Sequence, residues 1–151
     1  MSSRVTHSVS LAAARFQDLP VNVRVKLSGL WASRLFVFAY VDLFSLYRSD
    51  VRSKLEAGQI SGFDVGQTFL LATTVYIAIP SLMVFLVLVL RPGVNRITNL
   101  VVASVYALPI VGGAIGEWGY YVFGSALEVG LLAAVVLYAW TWPRQVVNDP
   151  A

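Results

Sequence analysis

Four stretches of nearly unbroken apolar residues alternate with short polar connections, over about 27–47, 66–90, 97–116 and 121–142. A helix rises about 1.5 Å per residue, so crossing a hydrocarbon core of about 30 Å takes about 20 mostly apolar residues. Each stretch is long enough. The second carries no charge at all and ends in LMVFLVLVL at residues 82–90. The first carries Arg34 and Asp42, and the fourth carries Glu128.

The connections predict how the spans are joined. Arg91-Pro92-Gly93 is a tight turn, which makes spans two and three an antiparallel hairpin, and the link after span three is equally short. Such links favour an all-α membrane protein, an up-down-up-down four-transmembrane-helix bundle. In the first connection, Ser49 or Asp50 is placed to cap a short helix reaching Glu56, and Gly58 to end it in the left-handed conformation. Asp64 followed by Gln67 matches the start of a capped helix. No strand is expected. The chain divides into an N-terminal tail (1–26), the membrane domain (27–142) and a C-terminal tail (143–151). Residues 8–16 suit a short interfacial helix or a flexible tail equally well. Arg15, Asp18, Arg24 and Lys26 break any apolar run that would make the N-terminus a secretory signal.

Composition narrows the class. Apolar side chains make up 58% and charged ones 13% of the 151 residues, against about 45–50% and about 25% in soluble domains. Mean hydropathy is +0.73. The chain has no cysteine, and its one histidine, His7, lies in the polar tail. That composition excludes disulfides, cysteine-ligated centres and a bis-histidine site within one chain, so no metal or other cofactor is implied. The net charge of +3 forms no basic patch interleaved with stacking aromatics, and nucleic acid is not an expected partner. The tails and the connection between spans two and three hold seven Lys and Arg, and the opposite side three. The positive-inside rule then puts both termini in the cytoplasm.

Charge inside a membrane costs about 2.5–3.5 kcal/mol per residue on insertion scales, so Arg34, Asp42 and Glu128 are the candidate functional residues. With spans centred near residues 37 and 131–132, Asp42 and Glu128 lie at similar depths, about 5–7 Å to the outer side. The two carboxyls are expected to face each other across one polar cavity. Thr73 falls in the same layer, with Tyr40, Tyr76 and Tyr106 nearer the centre. Arg34 lies about 5 Å to the inner side and is rotated about 80° from Asp42. A tyrosine hydroxyl or a lipid phosphate is its expected partner. The competing reading makes all three charges structural, holding helices together or snorkelling.

Other features are less specific. Gly112-x-x-x-Gly116 permits close helix contact, expected within the bundle rather than between copies. Pro80 and Pro109 remove backbone donors and free carbonyls inside spans two and three. Glu117 is expected to be solvated.

An ordered series of short motifs carries a resemblance. Tyr40-Val41-Asp42-Leu43-Phe44-Ser45-Leu46, Ile79-Pro80, Asn95-Arg96, Glu128 and Tyr138-Ala139-Trp140-Thr141-Trp142-Pro143 resemble a family of small bacterial four-helix membrane proteins of unknown function, itself loosely DoxX-like. The resemblance covers roughly residues 25–143 and implies a bacterial inner-membrane protein with acids in spans one and four, here Asp42 and Glu128. It implies no established activity. Many members carry a glutamate just before the Ile-Pro pair. This chain has Ala78 there, which puts any role of that acid in doubt. The leading expectation is a protein that binds or passes a small apolar molecule, lipid, quinone or proton at the layer around Asp42 and Glu128. The alternatives are an accessory subunit of a larger membrane complex and a cofactor-free isomerase or cyclase with paired carboxyls. The bilayer is the expected environment, and a membrane-protein partner or a second copy stays open.

Overall fold

The computed structural model describes residues 20–60 and 62–142. The N-terminal reading over residues 8–16, His7 and the tail at 143–151 lie outside them. Four long helices, α1 (Val23–Ser45), α3 (Gln67–Val89), α4 (Pro92–Gly113) and α5 (Gly119–Trp140), are long and apolar enough to cross a membrane. A short amphipathic helix, α2 (Ser49–Glu56), lies in the first connection. It is followed by a two-residue antiparallel hairpin, β1 (Gln59–Ile60) and β2 (Phe63–Asp64), paired Gln59 to Asp64 and Ile60 to Phe63. The hairpin corrects the expectation of no strand, which a run of two residues is too short to announce.

The long helices touch in the ring α3–α1–α5–α4, with a slighter contact between α3 and α4 closing it. The core is narrow. Leu27, Trp31, Met83, Val87, Ala103, Tyr106, Leu132 and Val135 are buried along the axis. Large apolar side chains such as Phe36, Leu108 and Phe123 stand fully outward. A water-soluble bundle would hide these residues; lipid solvates them without cost. With lipid tails as apolar as leucine, close packing and interhelical hydrogen bonds hold the helices together. Gly124 of α5 supplies the closest packing, since any side chain there would overlap Val41 of α1.

Three sequence expectations change at the helix ends. α1 begins four residues earlier than the apolar run, because the Asn22 side chain accepts from the Arg24 N–H and caps it. Arg24 and Lys26 are then inside the helix, reaching the Leu88 carbonyl and the face of the Tyr138 ring. α2 starts after Arg48 with no side-chain cap, so neither Ser49 nor Asp50 caps it, although Gly58 does take a left-handed φ of 76°. α3 follows Gly66, again without a side-chain cap. Gly112 faces open space and Gly116 serves a turn at φ 80°. The Gly112–Gly116 pair therefore makes no close contact within the bundle, and the small residue at that interface is Gly124.

Candidate functional site

True helix bounds reset the depth scale. Arg34 is the middle residue of α1, and Glu128 lies within two residues of the middle of α5. Their side chains meet: Arg34 Nε is 2.9 Å from Glu128 Oε2, with Arg34 1% and Glu128 3% exposed. The contact is one of charge, because its angle falls outside hydrogen-bond geometry and both atoms lack a hydrogen-bond partner. Arg34 Nη1 and Nη2 are also buried without hydrogen bonds. The guanidinium instead lies over the Phe38 and Tyr106 rings, 5.0 and 5.4 Å from their centroids. Aromatic faces offer a desolvated cation part of what water would.

The partner of Arg34 is therefore Glu128, not the tyrosine hydroxyl or lipid phosphate expected for it. The reason lies in the helix start. Adding the charged first turn to α1 moves its centre from near residue 37 to residue 34. Residues 27, 31, 34 and 38 then form one inward stripe at helical spacing, buried or half-buried throughout.

Asp42 is elsewhere. Eight residues beyond the middle of α1, it sits about 12 Å toward the loop-bearing end. It is exposed, and among the described residues it has no ion-pair partner. It lines a lateral cleft of about 600 Å³ between α1 and α3, together with Ala32, Phe36, Ala39, Ile77 and Ser81. Ser81 donates its hydroxyl to the Ile77 carbonyl and keeps its lone pairs free.

The remaining candidates separate into two groups. Tyr106 and Tyr76 pack beside the ion pair, their rings stacked 4.7 Å apart. Pro80 has no N–H to give the carbonyl four residues earlier, that of Tyr76. The Tyr106 hydroxyl donates to that carbonyl at 2.6 Å. Thr73, half-buried, donates to the Phe69 carbonyl and lines a separate cleft with Tyr76, Phe63 and Asp64. Tyr40 is 56% exposed, against Phe44 on a face between α1 and α5.

Two polar clusters went unseen in the sequence. Near the start of α4, Trp31 Nε1 donates to Asn99 Oδ1, Asn99 to Asn95, and Asn95 to the free carbonyl of Val87 at the end of α3. Asn95 and Asn99 stand four apart, on one helical face, which was the available signal. At the other end, Arg48 binds Asp50 at 2.7 Å and Glu117 at 2.5 Å and lies over the Trp118 ring. Glu117, expected to be merely solvated, thus ties two connections together. The Asp50 carboxyl is held below its ordinary range, mainly by the Arg48 hydrogen bond. Arg48 is raised in turn by Asp50 and then Glu117.

Four helices able to cross a membrane, enclosing an Arg–Glu pair at mid-depth, define a multi-pass membrane protein. A family model of proteins of unknown function (DUF6326) matches residues 17–149, and the chain belongs to that family. No curated protein and no solved structure matches it significantly.

Proposed function

We propose that the chain binds, or passes along its surface, a small molecule with an apolar body, taken from the membrane into the α1–α3 cleft at Asp42. In this reading it is a bacterial inner-membrane protein, loosely DoxX-like, with both termini cytoplasmic and its four long helices alternating in direction. Two contacts along each neighbouring pair run in opposite order and support the alternation: Lys26–Tyr138 and Ser45–Tyr120, Arg24–Leu88 and Phe38–Tyr76, Val87–Asn95 and Tyr76–Tyr106, and Arg96–Trp140 and Gly113–Tyr121. The observation that carries the function is the inequality of the two acids. Glu128 touches its countercharge inside the protein, whereas Asp42 forms no ion pair among the described residues and opens to lipid in a cleft of ligand size.

The same inequality weighs against the paired-carboxyl isomerase or cyclase, which needs both acids around one closed pocket. An accessory subunit draws support from the broad outward apolar faces, but those faces equally suit lipid. The test is native mass spectrometry of the chain extracted in mild detergent. Wild type is expected to carry a bound small molecule or lipid, and Ala39→Trp, which fills the cleft, to lose it while keeping its melting temperature. The same bound mass in both proteins overturns the reading.

A further inference from the structure

Resting on the α1–α3 cleft as a binding site, we infer the class of its ligand: a lipophilic cation, an ammonium-type or similarly charged centre on an apolar body. The cleft runs from Ala32 to Asp42 along α1, ten residues or about 15 Å. Its lining is apolar apart from Asp42 and Ser81. Asp42 lies about 12 Å from the middle of α1, just inside a hydrocarbon half-thickness of about 15 Å. A carboxylate at that depth is stabilised by a cation lying against it.

Among the described residues, the two cations nearest Asp42 along the chain are committed elsewhere. Arg34, the cation nearest along α1, is paired with Glu128, and Arg48, beyond the end of α1, with Asp50 and Glu117. A positive centre brought in by the ligand meets this need. Phe36 lines the same cleft about 9 Å nearer mid-depth than Asp42 and adds aromatic surface for the apolar body. Ala32 and Ala39 keep the wall low enough for a bulky apolar body beneath the charge. An anionic or neutral amphiphile fits the cleft by shape but leaves Asp42 unpartnered.

Tetraphenylphosphonium and tetraphenylborate, one shape with opposite charges, separate these cases. Equilibrium binding is measured on the full chain in phosphatidylcholine vesicles, with empty vesicles subtracted. Saturable binding of the cation and none of the borate is expected. Asp42→Asn is expected to weaken cation binding about tenfold or more, the scale of a lost charge-assisted contact, while Asp42→Glu retains it. Equal binding of both ions, or cation binding indifferent to Asp42→Asn, overturns the inference. Ala39→Trp distinguishes the two failures. If it abolishes binding that Asp42→Asn leaves intact, the cleft stands as a site and the cationic class falls; if neither variant matters, the cleft itself is not the site.

Discussion

Arg34 and Glu128 hold their charges at mid-depth by cancelling each other, so either one alone is a liability. Removing one partner of a buried pair costs about 3–5 kcal/mol, whereas replacing both by apolar residues is often neutral or stabilising. Glu128→Gln is therefore expected to destabilise the bundle by about that amount. Arg34→Met combined with Glu128→Leu is expected to recover most of the loss. Thermal or denaturant unfolding in detergent reads both. A double variant no more stable than Glu128→Gln would show that Arg34 depends on something other than this carboxylate. At this scale the sequence was half legible. Cost alone picked out Arg34, Asp42 and Glu128, but their partners depended on where α1 begins. That boundary was hidden by Arg24 and Lys26, whose long stems lie along the bundle while their charged ends find a carbonyl and a ring face.

Defects in the α3 backbone are repaired by the helices beside it. Pro80 strands the Tyr76 carbonyl in α3, and Tyr106 of α4 supplies the missing donor. Tyr106→Phe is expected to cost about 1–3 kcal/mol by leaving a half-buried acceptor unsatisfied away from water. In a Pro80→Ala background the residue 80 N–H is restored, and the same substitution is expected to cost markedly less. A double-mutant cycle measures the coupling, and additive losses would refute this pairing. The last carbonyls of α3 are met in the same way by Asn95 and Arg24. The existence and order of the four long elements were readable because spanning a membrane demands unmistakable apolar length. Which faces meet was not readable. Lipid tolerates apolar residues on every side, so the hydrophobic pattern that orients helices in water is nearly flat here. Only polar residues and Gly124 mark the contact faces.

For the molecule as a whole, the connections at one end are fastened by charge. Arg48 joins the start of α2 to Glu117 before α5. Because the Asp50 carboxyl is held below its ordinary range, its contribution is complete above about pH 4 and is lost as the pH falls through the depressed value. Amide protection in α2 and the hairpin, taken relative to the intrinsic exchange rate at each pH, is expected to fall below about pH 4, with the four long helices unaffected. Arg48→Gln is expected to produce the same loosening at neutral pH. Protection that stays constant on acidification would show that packing, not charge, fixes these connections.

The side-by-side placement of Arg34 and Glu128 also bears on the membrane potential. A motion that carries both residues through the electric field together moves no net charge, so the voltage does no work on it. Crossing the whole field is worth about 2.3 kcal/mol per elementary charge per 100 mV. Asp42, about 3 Å inside a core about 30 Å thick, spans roughly a tenth of that field. A cation reaching it from the near side would gain or lose only about 0.2 kcal/mol per 100 mV. Occupancy of the cleft should follow the concentration of ligand in the membrane far more than the voltage across it.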